Sequence, residues 1–460
     1  MTRTIRSVST PGTHGPPRRE VLKAAGAVGA LIGLGGLAAC EGSSNPSPSS
    51  GGNSAGRGET ITVTGISSFG QMKPLMQDFT QQTGIKVDLR ILPYDQLRQN
   101  SIADFASHGA RSDVYTQDIV WLGEWATNKY SRRLDDLMTR DASKMNISDI
   151  LPGALESLSK WEGGTWSLPW GAYYFLMYYR KDWLREKGLQ PPVTFADYET
   201  LVPALTDPSK NRYGIVMPYQ AGAPISDWFL ATYSGAGGKV LADPPKNFTP
   251  QLDSPLALSV LKTYLDWLKY APPGAANFHW NDATTAMQSG LAAMNGTFSS
   301  NAAVMADPDK SRAAGNLGYT YMPRTDGGAD PVVPFGGWAL AINADTKRVD
   351  ASWEFLKWAT GAEAQAKEAA INGTPMRYSA LKDADAQKQF PWLPFILDAE
   401  SKGYVRPDYR PRYPFWPKME QAIGRELNLA AVGKQTAEDA LTKSTNESTS
   451  IIKVAGFPVK

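Results

Sequence analysis

Residues 60–91 read TITVTGISSFGQMKPLMQDFTQQTGIKVDLRI, and this stretch decides the fold. Residues 60–64 alternate polar and apolar side chains as a strand does. Residues 65–70 make a turn. Residues 72–82 carry the spacing of a helix, and Gly84 stands where a helix end favours a residue tolerant of positive φ. Residues 85–91 alternate again. Strand, helix and strand in so short a span form a β-α-β unit, which pairs the strands in parallel under the helix. The pattern continues with a helix over 94–106 and a short buried strand over 113–115. The fold class is therefore α/β, with a mainly parallel sheet covered by helices.

Farther along, Leu168-Pro169-Trp170 opens an aromatic, extended segment over 171–179, read as a crossing between two lobes. Helices follow over 254–268 and 282–288, with strands over 317–321 and 338–342. Another helix spans 351–360, with Trp353, Leu356 and Trp358 spaced for partial burial. The last helices span 414–432 and 437–452. No internal repeat interrupts this order.

The residues before the fold read as an address. Arg18-Arg19 precedes a mildly apolar Ala/Gly run over 24–39, too short and too weakly apolar for a membrane span. Charged, apolar and small-residue regions in that order describe a signal peptide. The paired arginines resemble a twin-arginine export signal. Leu37-Ala38-Ala39-Cys40 resembles a bacterial lipobox, which implies lipidation of Cys40 after cleavage before it. Residues 41–58, rich in Ser, Gly, Asn and Pro, bury too little apolar surface to fold and read as a flexible tether.

Composition excludes several functions. The 460 residues are 42% hydrophobic, which permits a large core. Of the net charge of +2, residues 1–40 hold +4, through Arg3, Arg6, Arg18, Arg19 and Lys23 against Glu20, leaving −2 for the rest. Such a body has no general attraction for nucleic acid. Cys40 is the sole cysteine, so no intrachain disulfide forms. His14, His108 and His279 lack metal-ligand spacing, so neither a metal nor a cofactor is expected.

Five segments in order resemble the family 1 extracellular solute-binding proteins of ABC importers: 79–87, 168–183 (LPWGAYYFLMYYRKDW), 282–295 (DATTAMQSGLAAMN), 336–342 (GGWALAI) and 415–441. The resemblance implies a two-lobed periplasmic-binding-protein fold of type II, with a ligand cleft between lobes joined by hinge strands. The expected N-terminal lobe is 59–172 with 336–376, and the C-terminal lobe is 173–335 with 377–460. The implied protein is a monomer that carries a sugar or sugar alcohol to importer permease subunits, held at the outer face of the cell membrane by its lipid. Leu92-Pro93-Tyr94-Asp95-Gln96-Leu97-Arg98-Gln99 and Arg410-Pro411-Arg412 resemble segments of polyol binders.

A polyhydroxy ligand has apolar C–H faces and a rim of hydroxyls, so its site needs flat rings and planar polar groups. Such groups are sought just after strands, where open α/β sheets bind ligands. Asp118 and Trp121 follow the strand at 113–115, where the resemblance implies an acid and an aromatic; capping of the next helix is the other role open to Asp118. Ser68, with Ser67 and Gln71, offers short polar groups or simply turn chemistry. Trp170, Tyr173 and Trp228 are either stacking rings or core anchors. Asn295 and Phe298 follow the apolar stretch 291–294; many sugar binders of the family have Trp at the latter, and Phe fits a smaller ligand. Gly337 and Trp338 lie at the second crossing, where glycine lets backbone approach ligand. Arg377 and Arg412 are candidate cleft residues, as are Phe415 and Trp416 at a helix start.

Catalysis lacks support in the sequence. The acids Asp113, Asp118 and Glu124 show no pairing pattern of the kind glycosidases need. Residues 65–69 lack the closing glycine of a nucleophile elbow, and 234–238 are only a glycine-rich turn. An exported carbohydrate-active enzyme and a surface sensor or adhesin on the same fold remain the alternatives.

Overall fold

The computed structural model describes residues 56–327 and 330–460. The expected leader, Cys40 and residues 41–55 of the expected tether lie outside the described residues. Residues 56–58 form a turn, in which the Gly58 amide donates to the Gly84 carbonyl at 3.1 Å.

The opening unit runs β1 (Thr60–Ile66), α1 (Met76–Thr83), β2 (Lys86–Leu92), α2 (Tyr94–Ala106) and β3 (Val114–Asp118). The helix expected from residue 72 starts later. Ser67–Leu75 is a 3-10 stretch containing Pro74, whose missing N–H is tolerated only near a helix start. Gly84 ends α1 at φ 76°, and its amide bonds the Thr80 carbonyl at 2.8 Å. The ladders β1/β2 and β1/β3 are parallel, from Thr60↔Lys86 to Ile66↔Leu92 and from Val63↔Val114 to Thr64↔Tyr115.

The rest of the framework is β4 (Leu168–Arg180), α3 (Ala223–Gly235), α4 (Trp280–Gln288), β5 (Met294–Phe298), β6 (Leu317–Thr320), β7 (Val333–Ile342), α5 (Val349–Ala359), α6 (Trp416–Ala431) and α7 (Ala437–Val454). One eight-stranded sheet follows the path β6-β4-β7-β3-β1-β2, with β5 also on β4 and Val405–Arg406 on β7. The expectation of a mainly parallel sheet is corrected here. The ladders β7/β3, β7/β4, β4/β5 and β4/β6 are all antiparallel. The cause is topological: β4 leaves the first half of the sheet, β7 returns to it, and neighbours running opposite ways pair antiparallel.

β4 belongs to both halves. Leu168 to Tyr174 pair with β7, whereas Phe175 to Arg180 pair with β5 and β6. β7 returns beside β3, with Trp338 opposite Asp118. A glycine is required where the two crossing strands meet. Gly337 has φ 152°, and a Cβ there would lie 2.4 Å from the Gly171 carbonyl oxygen. Among the described residues, no helix is long and apolar enough to cross a membrane.

Candidate functional site

The carboxyl ends of the parallel strands and the two crossing strands surround a cavity of about 200 Å³. From the β1–β2–β3 side come Ser67 and Ser68 after β1, Tyr94 at the start of α2, and Asp118 at the end of β3. From the other side come Asp227 and Trp228 on α3, Trp280 at the start of α4, Phe298 at the end of β5 and Asn301 just after it. Tyr173, Gly337 and Trp338 enter on the crossing strands, and Arg410 on the segment leading to α6.

The rings form a continuous wall. Trp280 stacks on Trp228 with centroids 5.9 Å apart and planes 12° apart. Tyr94 meets Trp280 at 5.4 Å and Trp338 at 6.0 Å, both edge to face. Phe298 abuts Trp228 at 5.7 Å. Local structure fixes these rings. The Asp282 carboxylate accepts the His279 amide at 2.9 Å, which starts α4 and sets Trp280 in its first turn. The Trp228 indole N–H donates to the Gly296 carbonyl, tying α3 to β5.

The polar groups converge on Arg410, which is buried. Its Nη1 lies 2.6 Å from Asp227 Oδ2 and 3.7 Å from Glu420 Oε1, and its Nη2 lies 3.7 Å from Asp118 Oδ1. Asp118 caps the turn that follows β3 and also lines the cavity. One oxygen accepts the Val120 amide at 3.5 Å, and the other accepts the Tyr94 hydroxyl at 2.9 Å. Burial pushes the Asp118 carboxyl up, and Arg410 and Tyr94 oppose that push. Burial also raises Asp227 and takes Glu420 well above the usual carboxylate range, where Asp227 adds to the effect. Burial lowers His279, so that ring is neutral at pH 7. Tyr173 donates its hydroxyl to Ser68 Oγ at 2.9 Å across the cavity floor. Among the described residues no set of three His, Cys, Asp or Glu side chains is placed to hold a metal ion.

The structure brings together Ser68, Asp118, Tyr173, Trp228, Phe298, Gly337 and Trp338 of the residues expected from sequence. It places the other seven away from the cavity. Trp121 lies beneath its lining, 5.2 Å from Tyr94 and 5.5 Å from Trp338. Trp170 packs edge-on against Phe69 at 4.7 Å. Asn295 is buried, its amide nitrogen 3.9 Å from the Met305 sulfur. Arg377 is a buried clamp on carbonyl oxygens, donating to Thr360 at 2.7 Å, Asn146 at 3.0 Å and Met145 at 3.1 Å. Arg412 donates to the Ser157 and Glu156 carbonyls at 2.8 and 3.2 Å, at the end of helix Pro152–Ser159. Phe415 sits among Phe248, Tyr413 and Phe457. Trp416 is fully enclosed and donates its indole N–H to Glu420 at 3.0 Å.

Tyr94, Asp227, Trp280, Asn301 and Arg410 were missed as lining residues. Trp280 opens a helix as Trp416 does, so the same signal marks both rings. Tyr94 and Arg410 both stand inside the segments that resemble polyol binders.

A larger open groove of about 690 Å³ lies on the far side of the 406–413 segment, lined by Lys239, Asp243, Arg406 and Asp408 among others. Trp161, Tyr409 and Tyr413 line it as well. The smaller cavity lies where the strand ends and the crossing strands meet, and there a stacked pair of rings faces converging polar groups, so it is the candidate site.

Two α/β halves joined by crossing strands, with an aromatic cavity between them, are the architecture of a receptor that closes on a small solute. Residues 65–366 match the family described as bacterial extracellular solute-binding protein, and the chain belongs to that family. It is 26% identical over 400 residues to an erythritol/L-threitol-binding protein of Mycolicibacterium smegmatis, covering 81% of this chain and 83% of that one. It is 26% identical over 426 residues to a mannitol-binding protein of Pseudomonas aeruginosa, covering 87% and 94%. A solved ABC-transporter solute-binding protein of Agrobacterium radiobacter in complex with ribitol is 31% identical, with a TM-score of 0.82, covering 86% of this chain and 100% of that one. The two-lobed solute-binding fold and an extracytoplasmic place of work follow from membership.

Proposed function

We propose that the chain binds a short linear sugar alcohol or small sugar in the cavity around Arg410 and delivers it to the permease of an ABC importer. One observation carries this reading: a wall of stacked rings faces a buried arginine flanked by carboxylates, within about 200 Å³. Rings suit the C–H faces of a polyol, and ionised groups make strong hydrogen bonds to its hydroxyls. The volume lies below the ~300–1,000 Å³ usual for drug-sized ligands, which favours a small solute over an oligosaccharide. The relatives named for erythritol, mannitol and ribitol support the same class.

The protein acts by binding and closure without chemistry, as a monomer. The lobes are 59–172 with 336–376 and 173–335 with 377–460, and β4 and β7 are the hinges. Ligand contacts with both lobes favour the closed form. The leader exports the chain, and lipid on Cys40 holds it at the outer face of the cell membrane.

The test is a thermal-shift panel of ribitol, erythritol, mannitol, sorbitol, xylose, glucose and maltose, followed by calorimetry. A ligand at about a hundred times its Kd adds ~2.7 kcal/mol of stability. The reading expects that shift from at least one sugar alcohol or monosaccharide and none from maltose. No shift across the panel would overturn it.

A further inference from the structure

At the cavity wall, three buried carboxylates surround a single guanidinium. Asp227 makes the close pair with Arg410 Nη1, at 2.6 Å. Asp118 faces Nη2 at 3.7 Å and is further supported by the Tyr94 hydroxyl and the Val120 amide. Glu420, on α6, lies outside the cavity lining and 3.7 Å from Nη1. Its Oε1 accepts the Trp416 indole N–H at 3.0 Å.

The charges do not balance. Fully ionised, the set would hold three negative charges against one positive charge, all on buried side chains. Excess buried charge is relieved by protonation of the carboxyl least supported as an anion. Asp227 and Asp118 have the stronger anionic support. Asp227 Oδ1 is buried and meets no N–H or hydroxyl donor among the described residues, and the Glu420 carboxyl stands within hydrogen-bond reach of Asp227.

We propose that Glu420 is a positioning residue for ligand binding that works as a neutral carboxylic acid, sharing its proton with Asp227. In this form Asp227 keeps its pair with Arg410, and Arg410 keeps its reach toward Asp118, so both lobes present one fixed polar surface to the solute. Loss of the proton puts a second anion against Asp227 and draws the guanidinium off Asp118. The groups facing Glu420 are Asp227 from α3, Asp118 from the end of β3, Tyr94 from α2, and Arg410 and Tyr409 from the segment before α6. From α7, also packed on α6, Glu447 goes to Arg425 instead. Burial, reinforced by Asp227, holds the Glu420 carboxyl well above its ordinary range, consistent with a proton retained at neutral pH.

The choice of ligand rests on the polyol reading; the protonation does not. The experiment measures ribitol affinity by calorimetry from pH 5 to pH 9 for the full chain and for Glu420→Gln and Glu420→Ala. The wild type is expected to weaken as pH rises through the Glu420 titration, by at most about tenfold per pH unit. Glu420→Gln, the shape of the neutral acid, is expected to match the wild type at pH 5 and to lose that dependence. His279 also lines the cavity, but it is common to both proteins, so the wild-type-to-Gln ratio isolates Glu420. Glu420→Ala is expected to bind weakly throughout.

Parallel pH profiles for wild type and Glu420→Gln would overturn the proposal, as would a Gln variant as weak as the Ala variant. If ribitol binds no form at any pH, ribitol is not the solute, and melting temperature without ligand decides the proton. A raised folded-state pKa predicts that the wild type loses stability relative to Glu420→Gln as pH rises above about 4.5. Melting profiles that stay parallel would overturn it.

Discussion

Truncating Trp280 to alanine tests the cavity most directly. The ring stacks on Trp228 on one side and meets Tyr94 edge-on, so only part of it is turned to the solute. A tryptophan buries about 150–250 Å² in all. If roughly a third of that meets the ligand, about 60 Å² of apolar contact is lost. At ~25 cal/mol per Å² this is about 1.5 kcal/mol, or roughly a tenfold rise in Kd. Trp280→Phe keeps a flat ring and should lose only about half as much free energy. The assay is calorimetry with ribitol, paired with a ligand-free melting curve to show that α4 still docks. Trp280 is half-buried at a helix start, so its truncation should leave the fold intact. A Kd within twofold of wild type, in a protein that melts normally, would refute the stacking argument and move the solute elsewhere.

Three other outcomes follow from the geometry. Trp416→Ala should cost about 3–5 kcal/mol of stability in denaturant unfolding, because the ring is wholly enclosed; weaker binding without lost stability would contradict its placement in the core. Gly337→Ala should cost about 2–5 kcal/mol, since its Cβ would meet the Gly171 carbonyl at 2.4 Å in a positive-φ backbone; an unchanged unfolding midpoint would count against that close approach of β4 and β7. Asp141 is buried, which alone would raise its pKa, but hydrogen bonds from Trp353 at 2.8 Å and from Lys357 and Lys144 at 3.2 and 3.3 Å hold it below the ordinary range. A depressed carboxyl stabilises the fold above its unfolded pKa, so the wild-type advantage over Asp141→Asn should be full near pH 7 and shrink as pH falls below about 4; an advantage independent of pH would refute it.

The elements were largely legible because their signals are local. Alternation along residues 60–64, Gly84 as a helix stop and the span 94–106 all depend on neighbours within a few positions. The direction of strand pairing was not legible, because it depends on where β7 returns after about 150 residues in the other half. The site divides along the same line. Asp118, Tyr173 and Trp338 could be named because they sit at strand ends and crossings. Arg410 could not be told from Arg412 by any rule of spacing: they flank one proline, and in an extended chain they would project alike. What separates them is what stands opposite. The end of helix Pro152–Ser159 offers carbonyls that Arg412 satisfies, whereas α3 and α6 bring Asp227 and Glu420 to Arg410. Two arginines equivalent in sequence are thus sorted by partners some 180 to 260 positions away and ten positions ahead. One clamps a helix end, and the other becomes the charged centre of the cavity.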